Sequence, residues 1–132
     1  MPKTVDDLLA EARATLERVT AQQARDELAD GALLVDVRTS EQRAEHGEIA
    51  GAIPIGLNVL EWRLDPSSEW RNPAATDHDV RVIVFCQEGF SSSLAAARLQ
   101  SLGLHRATDV IGGFEAWRDA GLPVDGGPQP SS

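Results

Sequence analysis

The sequence predicts an α/β fold: a mostly parallel, five-stranded sheet flanked by helices in three layers. Three observations point there. Two runs, Leu33-Leu34-Val35-Asp36-Val37 and Val82-Ile83-Val84-Phe85, are nearly continuous in apolar character, as strands buried on both faces of a parallel sheet are. Segments with helical spacing of apolar residues lie between and around them. Glycine and proline punctuate the joins. Strands alternating with helices call for crossover connections, and these make a sheet mostly parallel.

The elements follow in chain order. Residues 4–17 have Val5, Leu8, Leu9, Ala12 and Leu16 on one helical face, with Thr4 as N-cap and Asp6 and Asp7 in the first turn. We read this as a helix packed on the domain. Arg18-Val19-Thr20 is read as a very short edge strand. Thr20 and Gln23 form a capping box for a helix through Leu28, which stops at Gly31. After the strand at 33–37, Ser40 is read as the cap of a short helix to about Glu45. A glycine turn then leads to a short strand at Ile53-Pro54-Ile55, where proline suits a sheet edge. Residues 58–64 read as a helical turn or irregular packing segment, and 65–79, with two prolines and many turn residues, as a loop. A helix over 92–102 ends at Gly103. Thr108-Asp109-Val110-Ile111 is the last strand. Gly112-Gly113-Phe114-Glu115-Ala116-Trp117 turns into a final helix, with Phe114 and Trp117 in the core.

The bounds are those of one domain. The chain has 132 residues, 42% hydrophobic and 25% charged, ordinary for a globular protein with a real core. A formal net charge of -9 argues against nucleic acid or an anionic membrane as partner. It also means that any anion site is built locally. A single cysteine forms no internal disulfide and fits a reducing compartment. With no bilayer-length apolar run and no apolar signal core at the N-terminus, the expected location is cytoplasmic.

That cysteine carries the chemistry. Cys86 follows the strand Val82–Phe85 and precedes a helix, which places its thiol at the carboxyl edge of the sheet, where open α/β folds bind ligands. The turn amides and the helix N-terminus favour a thiolate and cradle a small anion. The candidate site is Cys86 with the loop Gln87, Glu88, Gly89, Phe90, Ser91 and Ser92. Asp36 and Arg38, at the end of the other central strand, are read as a supporting ion pair or loop clamp. No metal ligand set or cofactor site is read in the sequence.

Four pieces in order then carry a resemblance: Leu34-Val35-Asp36-Val37-Arg38; Gly47-Glu48-Ile49-Ala50-Gly51-Ala52-Ile53-Pro54-Ile55; Val84-Phe85-Cys86-Gln87-Glu88-Gly89-Phe90-Ser91; and Gly112-Gly113-Phe114-Glu115-Ala116-Trp117. Together they resemble the rhodanese homology domain over roughly residues 18–124. The expected organisation is an N-terminal helical extension at 1–17, a rhodanese-like domain at 18–124 and a disordered tail at 125–132.

The resemblance implies a single-domain sulfurtransferase. Cys86 would take a sulfane sulfur from thiosulfate, another small anionic donor or a protein persulfide, become a persulfide, and pass the outer sulfur to cyanide or a thiol. The loop amides would stabilise the anions, and a thiol already ionised needs no separate general base. The phosphatases that share this fold need Cys, five residues, then Arg. Here the sixth position after Cys86 is Ser92, and Arg98 lies at least a turn further on. Glu88 departs from the basic loop residue of many thiosulfate-using members and opposes a dianionic donor. The other reading is a low-turnover binding or sulfur-carrier module docking a protein partner. The retained cysteine and the loop length favour the enzyme. Nothing in the sequence gives an oligomeric state.

Overall fold

The first three helices each begin at a threonine with a reciprocal partner three residues on. The pairs are Thr4–Asp7, Thr20–Gln23 and Thr39–Gln42; in each, hydroxyl and acceptor side chain satisfy one another's backbone amides. A computed structural model describes residues 2–127 of the chain. These helices are α1 (Val5–Ala14), α2 (Ala21–Ala29) and α3 (Ser40–His46). The cap expected at Ser40 is instead Thr39: its backbone is extended and its hydroxyl takes the Gln42 amide, while Ser40 is the first helical residue.

The strands are β1 (Leu33–Asp36), β2 (Ile53–Pro54), β3 (Val82–Phe85) and β4 (Thr108–Asp109), all parallel, in the order β2-β1-β3-β4. The sheet of the described residues has four strands rather than the five expected. The segment read as an edge strand at Arg18–Thr20 makes a single bridge, Val19 to Val110, because the chain turns at once into the cap of α2 at Thr20. The later helices are α4 (Leu60–Leu64), α5 (Ser91–Ser101) and α6 (Gly113–Asp119).

Alternation along β3 divides the core in two. Val82 and Val84 face a cluster with Val35, Leu60, Leu64, Leu99 and Leu104, under α4 and α5. Ile83 and Phe85 face the other side, with Leu34, Ala24, Phe114 and Trp117 from α2 and α6. Helix, sheet and helix thus form the three layers. Helix α1 lies on α5 and buries Ala12, and Leu16 just beyond it joins the first cluster. Among the described residues no helix is long and apolar enough to cross a membrane. Of the expected tail, Asp125 is held by an antiparallel bridge to Glu48, and 128–132 lie outside the described residues.

The connections from β1 to β2 and from β3 to β4 run to opposite edges of the sheet. The gap between the ends of β1 and β3 is therefore a topological switch point, where the fold leaves a crevice. Asp36 and Phe85 are register partners, and the Val37 amide donates to the Phe85 carbonyl at 3.1 Å. Arg38 and Cys86 therefore leave the sheet side by side.

Candidate functional site

Cys86 sits at that crevice with 7% of its surface exposed. The loop after it turns so tightly that two backbone amides reach the sulfur: Gly89 N–H at 3.1 Å and Ser92 N–H at 3.4 Å. Ser92 lies in the first turn of α5, so the helix dipole adds to its donor. Burial pushes the thiol up. Against it act the hydroxyls of Ser92 and Ser91 and the amides of Ser92 and Gly89, and the net result lies below the ordinary thiol value. The Ser92 hydroxyl has one proton and lies 2.8 Å from Asp109 Oδ2. The two amides are the donors that do not depend on how a hydroxyl turns.

The turn needs glycine in two places. Gly89 has φ +91°, and a Cβ there would stand 2.7 Å from the Gly112 nitrogen. Gly113, at φ +60°, approaches the loop from the other side, and its Cβ would stand 2.8 Å from the Gly89 nitrogen and against the Cys86 carbonyl oxygen. Two backbones in such contact allow α6 to donate Phe114 N–H to the Cys86 carbonyl at 2.8 Å and Glu115 N–H to the Gln87 carbonyl at 3.1 Å. The Cys86 and Gln87 carbonyls are thus turned toward α6, and amides are left for the sulfur.

A match to the family model of the rhodanese-like domain covers residues 20–120. The chain belongs to the rhodanese-like domain family. A Haemophilus influenzae thiosulfate sulfurtransferase, GlpE, is 32% identical over 111 residues, 84% of this chain and 96% of its own length. A solved Rhodopseudomonas palustris protein, described as of unknown function and a possible tyrosine phosphatase, superposes with TM-score 0.83 at 32% identity, over 95% of this chain and 99% of that one. The human single-domain sulfurtransferase TSTD1 superposes with TM-score 0.63 at 30% identity, over 77% of this chain and 95% of its own.

In this rhodanese-like domain the sequence-derived residues divide between the crevice and its supports. Cys86, Gln87, Glu88, Phe90 and Ser91 line a cleft of about 310 Å³ with Val37, Arg38, Thr39, Gln42 and Leu57. Glu88, Phe90 and Ser91 are exposed at its mouth. Gly89 and Ser92 are buried beneath. Gln87 does not present its side chain to the sulfur. It accepts from Arg38 Nη1 at 3.2 Å and donates to Glu115 at 3.4 Å, which anchors the loop. Arg38 forms a buried pair with Asp36, Nη2 to Oδ2 at 2.9 Å, also donates to the Gly47 carbonyl at 2.8 Å, and stacks 4.1 Å from the Phe114 ring centroid. Its guanidinium is spent on structure.

Sequence reasoning missed the layer behind the loop. Asp109, fully buried at the end of β4, accepts from Ser92 Oγ and Ser93 Oγ, each at 2.8 Å, and pairs with Arg18 at 2.9 Å. Arg13 and Arg18 both donate to the Gly89 carbonyl, at 2.9 and 3.1 Å. An acid at the carboxyl end of a predicted strand was the one available signal, since that edge is where the site lies.

Proposed function

We propose that this chain is a sulfurtransferase that moves a sulfane sulfur through a persulfide on Cys86. The observation that carries the reading is the pair of backbone amides on the Cys86 sulfur at the start of α5. They favour the thiolate that attacks and the persulfide anion that results. The Cys86 thiolate attacks the outer sulfur of the donor, a Cys86 S–S bond forms, and the donor's S–S bond breaks with its electron pair. Sulfite leaves if the donor is thiosulfate, a thiolate if it is a persulfide. In the second half a thiolate or cyanide attacks the terminal sulfur, and Cys86 leaves as thiolate. No proton must be abstracted from an ionised cysteine, in keeping with a cleft whose lining contains no histidine.

The mouth favours persulfide donors over thiosulfate. Glu88 is exposed there, and the chain's net charge of -9 gives a dianion no long-range attraction. Leu57 and Phe90 offer exposed apolar surface beside the sulfur, which suits the organic part of a persulfide. Phosphate-ester chemistry is disfavoured. The position of a phosphate-clamping arginine is held by Ser92, bonded to Asp109. The Arg98 side chain is 70% exposed and lies 3.5 Å from Glu61.

The test is intact mass after incubation with thiosulfate and, separately, with a cysteine-desulfurase persulfide source. The expected result is a reductant-reversible gain of one sulfur, absent in Cys86→Ser, with faster loading from the persulfide. No gain from either source in folded protein with a free thiol overturns the reading in favour of a docking module.

A further inference from the structure

The N-terminal helix and the segment that follows it reach the back of the sulfur loop through one arginine each, Arg13 and Arg18, both before residue 20 and so outside the span matched by the family model. Arg13, on α1, donates Nη2 to the Gly89 carbonyl at 2.9 Å and Nε to Ser93 Oγ at 3.1 Å, and its guanidinium lies 5.9 Å from the Phe90 ring centroid. Arg18 donates Nη2 to the same carbonyl at 3.1 Å and is itself held by Asp109. Two guanidinium groups thus converge on one carbonyl oxygen. The peptide that carries it, Gly89–Phe90, is trans. Its N–H therefore points the opposite way, away from the arginines. Among the described residues the Phe90 amide has no acceptor in the chain.

We propose that Arg13 and Arg18 are positioning residues for sulfur transfer: they fix and polarise the Gly89–Phe90 peptide, so that the Phe90 amide becomes the donor for the anion formed at Cys86. A carbonyl bonded to two cations draws electron density from its own amide, and the N–H at the far end becomes a stronger donor. The same two bonds keep the carbonyl dipole from swinging toward the sulfur, where it would oppose negative charge. Preorganised donors of this kind are the main tool available for a reaction whose intermediates are anions. On this reading α1 is part of the active site. The inference rests on sulfur transfer at Cys86 for its purpose, though not for its test.

The charges around Cys86 set what the test must separate. Arg13 from α1 and Arg18 stand behind the loop, with Asp109 from β4 offsetting one of them. The Asp36–Arg38 pair after β1 is internally neutral, Glu115 of α6 meets Gln87, and Glu88 stands at the mouth. Only Arg13 combines a loop contact with no carboxylate partner of its own among the described residues.

The experiment follows the pH profile of Cys86 alkylation by iodoacetamide in wild type, Arg13→Ala and Arg13→Lys, with melting temperature and single-turnover sulfur loading on the same samples. Arg13→Ala is expected to shift the profile up by about half a pH unit or more and to slow loading about tenfold. Arg13→Lys, which keeps the charge and one donor, is expected to fall between. If both variants lower the melting temperature and neither moves the alkylation profile or the loading rate beyond twofold, Arg13 only docks α1 and the proposal is overturned. Alkylation needs no sulfur donor. A wild type that never loads sulfur sinks the sulfurtransferase reading, while the profile still decides the clamp.

Discussion

The Ser92 hydroxyl donates to Asp109 Oδ2 at 2.8 Å, so the residue whose amide faces the Cys86 sulfur is tied by its side chain to the neighbouring strand. The consequence is rigidity where the chemistry needs it. An amide at a helix start is a useful anion donor only if the helix does not drift, and Asp109 pins α5 through both Ser92 and Ser93.

Asp109→Asn tests that pin. The amide keeps one acceptor oxygen but loses the charge that holds Arg18, a side chain only 16% exposed. Leaving one member of a largely buried pair uncompensated is expected to cost about 2–4 kcal/mol. Urea unfolding with an unchanged m-value measures it. A cost under about 1 kcal/mol means that Asp109 acts here as a hydrogen-bond acceptor and not as a charge.

Gly113→Ala and Gly121→Ala separate backbone strain from crowding. Both glycines have positive φ, +60° and +76°, but an added Cβ at Gly121 meets nothing within 4 Å, whereas at Gly113 it strikes the Cys86 carbonyl and the Gly89 nitrogen. Gly121→Ala should cost about 1 kcal/mol from strain alone and leave Cys86 reactivity unchanged. Gly113→Ala should cost clearly more and slow Cys86 alkylation, because the loop must move off α6. Equal costs and equal reactivity would show that the loop relaxes without disturbing its amides.

How much of this was legible in the sequence follows from how local each signal is. The strand Val82–Phe85 is buried at every residue, and its continuous apolar run announced that. Asp36 and Arg38 are two residues apart, so their pairing was readable. That the same guanidinium also holds Gln87 and the Gly47 carbonyl was not, because those contacts span 49 and 9 residues. Ser92 was readable as part of the loop at Cys86, but that its hydroxyl and that of Ser93 are buried against an acid from another strand was not, because those contacts span 17 and 16 residues. Arg13 stands on the polar face of an amphipathic helix, where an arginine normally meets water, and only the packing of α1 on α5 turns it toward Gly89.

Glu88→Lys addresses the donor. Glu88 is exposed on the loop that carries the thiolate, so its charge acts on an approaching anion through water and is screened by salt. Reversing it replaces repulsion of a dianion with attraction and removes a like charge from beside the thiolate. Thiosulfate loading should rise about three- to tenfold at low ionic strength, and the gain should shrink toward unity near 0.5 M salt. An ionised organic persulfide carries one negative charge, half that of thiosulfate, so its loading should gain less, by under about threefold. The alkylation profile should move to lower pH in the same variant, since an added cation favours the charged form of the thiol. If loading from both donors rises equally and independently of salt, the carboxylate acts on the cysteine and not on the donor, and the preference against thiosulfate must then lie in the shape of the cleft around Leu57 and Phe90.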